Sequence, residues 1–271
     1  MTPAERLRSV TRRGVEEYAL ASEAAGALVS FASEPASLVV ACRRLLAHHR
    51  AHGPLWWTCA RILAAADPIA AARDAMKLLD ADRSAERLAA SIPLLDDGEV
   101  VAIVGWPHPA DLALAERADV EAVAVRIDGA DPMPSLRHRI AERTIRVVDQ
   151  WSPQLSAATH LIVPARAIGH DEVLAPAGTG ALLDELARHV GEVWLLGGVG
   201  RVLPARLFAA AATAVDAGRA AEYGVDDDDE SELVPLARFD RVAGPRGIVS
   251  LADAVEHPDC PVVPELLRPL E

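Results

Sequence analysis

Thr159-His-Leu-Ile-Val-Pro-Ala-Arg-Ala-Ile-Gly-His-Asp-Glu-Val-Leu-Ala-Pro-Ala-Gly-Thr-Gly180 reads as an apolar strand running into a turn, with a helix over Ala181 to Gly191. Val193-Trp-Leu-Leu-Gly-Gly-Val-Gly-Arg201 then repeats the design, a second buried strand ending in a glycine-rich turn. Strand, glycine turn and helix in that order decide the fold. A glycine turn at a helix start points free main-chain N–H groups one way, where the helix dipole also favours negative charge. The stretch is therefore built to hold an anion such as phosphate.

Outward from this stretch the periodicity divides the chain. From Thr2 to about Ser91 apolar residues recur at helical spacing, with Pro35, Gly53-Pro54 and Asp67-Pro68 marking helix starts or breaks. After Pro93, Val100–Val104, Val120–Ile127, Thr144–Val148, Leu161–Val163 and Val193–Leu196 read as strands. Helices are predicted between them from Asp111 to Ala118 and from Arg137 to Arg143, and a last strand over Leu233–Leu236. Continuous apolar strands alternating with helices indicate a parallel sheet covered on both faces. The fold class is α/β: an N-terminal helical domain over 1–95, followed by a Rossmann-like parallel-sheet domain over 96–271.

Composition excludes several functions. A formal charge of −13, from 27 Lys+Arg against 40 Asp+Glu, opposes general binding to nucleic acid. Cys42, Cys59 and Cys260 lie far apart without metal-ligand spacing, as reduced buried thiols would. No apolar run reaches about 18 residues and no charged-then-apolar leader opens the sequence, so the expectation is a cytoplasmic protein with no membrane partner. Gly198-Val-Gly-Arg-Val-Leu203 matches the dinucleotide pattern Gly-x-Gly-x-x-Gly only until Leu203, and no cofactor is expected.

Each polar candidate has a plain reading beside the functional one. Gly178, Thr179 and Gly180 form either a tight strand-to-helix turn capped by Thr179 or an anion site. Arg166, at the end of a buried strand, either holds an anionic ligand or pairs with Asp171 or Glu172. Arg201 is either a phosphate ligand or a surface arginine. His108 and His170 sit in loops at strand ends, where an imidazole can serve as general base near neutral pH. Asp128 and Asp131 fit a capped turn. His48-His-Arg-Ala-His52 reads as a solvated helix end rather than a metal site, and Asp226–Glu230 as a solvated loop tip. Adjacent Trp56 and Trp57 point about 100° apart on a helix, so one packs inside and the other meets the second domain or a partner chain.

Taken in order, several motifs resemble the initiation factor 2B α/β/δ subunit family, which includes methylthioribose-1-phosphate isomerase and ribose-1,5-bisphosphate isomerase. They are Arg12-Arg-Gly14, Pro54-Leu-Trp-Trp-Thr-Cys-Ala-Arg-Ile-Leu63, Leu161-Ile-Val-Pro-Ala-Arg-Ala-Ile168, Ala177-Gly-Thr179, Glu232-Leu-Val-Pro235 and Phe239-Asp-Arg-Val-Ala-Gly-Pro-Arg-Gly247. The resemblance implies a homodimer through the Rossmann-like half, and a site near Asp128 and Asp131 where the family contacts sugar hydroxyls.

The departures from the family pattern concern chemistry. Where the isomerases carry a strand ending in Gly-Ala-Asp, this chain has Pro164-Ala165-Arg166, and a guanidinium cannot take up a proton. The Asn-Lys before the glycine turn is replaced by Ala175-Pro176. The loop that bears the catalytic cysteine is Gly105-Trp-Pro-His-Pro109, without a thiol. The first expectation is therefore a catalytically degenerate relative with a regulatory or assembly role. It would bind a phosphorylated sugar, nucleotide or similar anion at Gly178, Thr179 and Gly180, with Arg166 and Arg201. The second is an aldose–ketose isomerase whose acid/base pair has moved to His108 or His170 with Asp128.

Overall fold

A computed structural model describes residues 17–132, 145–186, 189–220 and 230–270. Arg12-Arg-Gly14, the helix expected over Arg137–Arg143 and residues 226–229 of the acidic run lie outside them. The chain opens with helices α1 (Glu17–Leu28), α2 (Pro35–His48), α3 (Gly53–Ala64), α4 (Pro68–Asp80) and α5 (Ser84–Ser91). Proline stands in the first turn of α2, α3 and α4, where its missing N–H has no helical partner to lose. Asp67 caps α4 by accepting from the amides of Ile69 and Ala70, each at 3.0 Å. His48 ends α2, and His52 caps α3 through Nδ1, which accepts from Leu55 N at 3.2 Å. The His48–His52 run is therefore a helix end that is solvated at His48, followed by a turn in which Ala51 and His52 are buried.

From Val100 onward the chain builds a seven-stranded sheet in the order β10-β9-β7-β4-β1-β2-β3. Its strands are β1 (Val100–Val104), β2 (Ala122–Arg126), β3 (Arg146–Asp149), β4 (Ala158–Pro164), β7 (Glu192–Leu196), β9 (Arg241–Gly244) and β10 (Gly247–Ser250). All run parallel except β10, which folds back on β9 as an antiparallel edge. Strand order reverses between β1 and β4, and in open α/β sheets that reversal opens a crevice at the carboxyl ends of the strands. A second, antiparallel sheet of β5 (Ala167–Ile168), β6 (Glu172–Pro176) and β8 (Ser231–Pro235) stands beside it. The α/β class with a parallel sheet is as expected; the small sheet and the β9–β10 hairpin were not foreseen.

All five residues of β1 are buried, and they alternate between two apolar layers. Val100, Ala102 and Val104 share a layer with the small sheet and α7 (Thr179–Leu186). Val101 and Ile103 share the other with α5 and α6 (His108–Ala115). Asp111 does not open α6 as expected but lies within its first turn. The helices α1–α4 pack into one core with α8 (Ala205–Ala220) through Leu203, Leu207, Phe208 and Ala211, joined by Cys260, Val263 and Leu266 from the end of the chain. Much of this core is alanine, so backbones approach closely; each buried Leu or Val still contributes about 1.5–3 kcal/mol.

At the junction Arg117 donates to the carbonyls of Ala89 (2.8 Å) and Ile92 (2.6 Å), binding the end of α5 to the sheet-bearing half. Three orphan carbonyls of a helix end and its exit are satisfied this way, counting Pro93 at 3.2 Å. Among the described residues no helix is long and apolar enough to cross a membrane.

In β4, the middle strand of the sheet, His160 lies half-buried, edge-on to Trp194 with ring centroids 4.7 Å apart. Burial lowers its pKa below the ordinary 6.5, against a weaker opposite pull from Glu192 and Glu99. The unfolded chain therefore takes the proton first. Stability carried by neutral His160 is complete above about pH 6.5 and declines as pH falls from there toward the lowered folded-state value. Melting temperature should fall over that window in the native protein, and His160→Phe, which keeps the ring contact, should flatten the dependence.

Candidate functional site

The loops at the carboxyl edge of the sheet bring the predicted residues into two clusters. In the first, the chain leaving β2 turns back on itself: Ile127 and Ala130 exchange main-chain hydrogen bonds at 3.2 and 3.1 Å, with Asp128 exposed at the tip. Gly129 donates to Ala177 O at 2.8 Å, and a Cβ there would lie 2.3 Å from Ala177 N. This turn is thereby pressed against the start of α7. Gly178 has φ +91, a conformation side chains rarely adopt, and a Cβ on it would sit 3.3 Å from the Ile127 side chain.

Thr179 is fully buried, and its hydroxyl donates back to Pro176 O at 2.6 Å, so it does not cap α7. The carbonyl that accepts the first helical bond is Gly178, from Leu182 N at 3.0 Å. Gly180 donates its amide to Glu232 Oε1 at 2.6 Å, and a Cβ on Gly180 would be 3.4 Å from that oxygen. The negative charge at this helix start is thus a carboxylate of the protein itself, carried in by β8. Beside it, the buried Oε1 of Gln150 accepts no hydrogen bond among the described residues and lies 3.6 Å from where a Gly178 Cβ would be.

The second cluster forms where β4 and β7 end. Arg201 is 6% exposed and donates from Nη1 to the Ala165 carbonyl, with the Arg166 carbonyl at 3.5 Å. It is not a surface arginine: its guanidinium is drawn inward to the main chain. Arg166 is half-buried, its amide bound to Leu174 O at 2.8 Å and its carbonyl accepting from Gly53 N at 3.0 Å. The glycines before Arg201 allow close packing. A Cβ on Gly200 (φ +78) would meet Pro54 Cα at 3.1 Å and Trp57 at 3.2 Å, and Val199 N donates to Asp82 at 3.0 Å. The partial dinucleotide pattern is therefore the seat of α3. Trp56 and Trp57 are both buried, and Trp57 is the one that faces the sheet-bearing half.

His108 and His170 lie on other segments. His108 is exposed in the first turn of α6, and Trp106 just before it packs on the far layer with its indole donating to Asp111 at 3.1 Å. His170 is exposed at the β5–β6 hairpin tip, with Nδ1 2.7 Å from Asp171. Asp131 reaches Arg126 at 3.3 Å. The thiols offer no nucleophile: all three are buried, a hydrogen bond with Cys42 and then burial push Cys59 well up, and burial pushes Cys260 to about 12. Among the described residues no group of three metal-ligating side chains forms.

Glu232, Gln150 and Asp82 escape the sequence reading as site residues. Glu232 lies in the Glu-Leu-Val-Pro segment, but only its meeting with Gly180, 52 positions away, reveals its part.

No protein-family model matches the chain, and no curated protein matches its sequence. Solved structures do. A translation initiation factor eIF-2B of Pyrococcus horikoshii OT3 superposes with a TM-score of 0.69 at 14% identity, over 93% of this chain and 98% of that one. The tetrameric eIF2B-β2-δ2 complex of Chaetomium thermophilum gives 0.67 at 14% identity over 93% and 91%. The eIF2B β subunit of the same organism gives 0.64 at 12% over 92% and 88%. At these identities the likeness establishes the fold: the chain is built as eIF2B subunits are.

The packing of α3 on the glycine turn gives a direct test. Gly98 (φ +89) has open space around its missing Cβ, whereas Gly200 does not. Both alanine variants bear backbone strain of about 1–2 kcal/mol. In urea denaturation Gly200→Ala should lose a further 1–3 kcal/mol or so from overpacking.

Proposed function

We propose that this protein is a non-catalytic module of the eIF2B-subunit fold that binds a phosphorylated sugar, nucleotide or similar anion and acts through regulation or assembly. The observation that carries the reading is the start of α7 at the carboxyl edge of the sheet. There Gly178 holds the main chain at positive φ where α7 begins, and beside it Gln150 offers a buried carbonyl oxygen, an acceptor for a hydroxyl such as that of a sugar. Amide groups at a helix start bind oxyanions without any side-chain proton chemistry. The groups for that chemistry are missing where the resemblance would require them. Arg166 follows β4, and the loop after β1 holds Trp106 and His108 but no thiol.

Glu232 belongs to this reading as a competitor. Its carboxylate already satisfies Gly180 N, so an entering phosphate must share the helix start with it or displace it. Assembly is supported by the neighbour solved as a tetrameric complex and by Trp151, which is 61% exposed beside the turn that carries Gln150. We expect a homodimer formed through the sheet-bearing half.

A ligand selective for the folded state stabilises it by about 2.7 kcal/mol at a hundredfold excess over Kd. Thermal melting with ribose phosphates and nucleoside monophosphates should therefore raise Tm for at least one of them, and more in Glu232→Gln. Absence of any shift in both proteins would remove the ligand. Ribose 1,5-bisphosphate and methylthioribose 1-phosphate should yield no ketose; turnover abolished by His170→Ala would establish the isomerase instead.

A further inference from the structure

Near the amino ends of β4, β7 and β9 the strand register sets a polar row on one face of the sheet. His160 stands opposite Glu192, and Trp194, two residues on, stands opposite Arg241. Alternate residues of a strand share a face and neighbouring strands lie about 4.8 Å apart, so the four side chains are side by side. Glu192, on the middle strand of the three, has an imidazole on one flank and a guanidinium on the other. Its Oε2 accepts from the Trp194 indole at 2.6 Å and lies 3.4 Å from Arg241 Nε. The His160 ring meets the same indole edge-on.

The groups around the row single out Glu192 as the carboxylate able to change partner. Glu99, before β1, is the other negative charge felt by His160, but its Oε2 accepts from Asp96 N at 2.9 Å. Asp240 accepts from Val193 N at 2.7 Å. Thr159 Oγ1, 3.1 Å from His160 Nδ1, and Ser250, opposite Arg241, are uncharged. β1 sets Val101 opposite His160, and α5 and α6 bring Leu88, Ile92 and Leu114 to this layer. The Glu192–Arg241 contact is long and its side chains are 38% and 48% exposed, so it is weak. A protonated, half-buried His160 donates from both ring nitrogens, and a charged hydrogen bond there is stronger than one in water.

We propose that His160 and Glu192 form a switch worked by a proton. While His160 is neutral, Glu192 joins the Trp194 indole to Arg241 and so ties β7 to the first residue of β9. When His160 takes a proton from solvent, the carboxylate turns to the imidazolium and Arg241 is released. Burial lowers the pKa of this imidazole below the ordinary 6.5, so the exchange occurs on the acid side of that value. The anion reading plays no part in this.

Nuclear magnetic resonance of the full-length protein between about pH 5 and 8 tests the switch. The His160 ring resonances are identified by their loss in His160→Gln, and the Trp194 indole N–H by its loss in Trp194→Phe. In the native protein the indole resonance should move with the same midpoint as the His160 ring. In Glu192→Gln, which keeps the shape without the charge, it should move less than half as far, and the His160 midpoint should fall. At the acid end the Arg241 Nε–H should exchange with water faster in the native protein than in His160→Gln, and at the alkaline end equally fast. An indole displacement as large in Glu192→Gln as in the native protein would overturn the proposal, since His160 would then act only as a nearby charge. Equal exchange of Arg241 in the native protein and His160→Gln at acid pH would overturn it as well, because the ion pair would have stayed closed.

Discussion

The amide of Gly53 donates to the carbonyl of Arg166, and a methyl group on Gly53 would stand 2.5 Å from that oxygen. Only glycine lets α3 begin there. Four residues on, Trp57 lies against Gly200 and reaches the Asp259 carbonyl. One helix start is thereby fastened to the ends of β4 and β7 and to Asp259 at once. The helical half, the crevice edge and the last residues of the chain all take their places from this contact. It also explains why Arg201 turns inward: the turn that bears it is pinned from above by Pro54 and Trp57 and from the side by Asp82.

The start of α7 is held by a different contact. A helix terminus leaves amides to be satisfied, and here a neighbouring strand brings a carboxylate to do it. Gly180 N donates to Glu232 Oε1 at 2.6 Å, and a Cβ on Gly180 would meet that oxygen only at an ordinary contact of 3.4 Å. The positive end of the α7 dipole is thus already partly balanced by a tethered carboxylate.

How far the sequence revealed this follows from what each element buries. β1, β4 and β7 are covered on both faces, so their apolar runs are uninterrupted and easily read. The starts of α2 and α4 are equally plain, because proline and a capping residue mark them. β6 reads as a turn in the sequence: Asp171 precedes it, Glu172 opens it and Pro176 ends it, yet its antiparallel partner β8 makes it a strand. The β9–β10 hairpin was hidden for a similar reason, since Gly244-Pro-Arg-Gly247 is only a turn once both flanks pair. Of the candidate site, the glycine turn at Gly178 is legible in the sequence; its positive φ is seen only in the fold. The Glu232 and Asp82 contacts are not legible, for they join residues 52 and 117 positions apart. Long separations of this kind leave no local trace in composition or periodicity.

The core that encloses α1–α4 also contains Leu203–Val215 and residues 260–266. During synthesis the first helices leave the ribosome long before those partners exist. Trp56, Leu45 and Leu46 must then wait with their apolar faces uncovered until nearly the whole polypeptide has emerged.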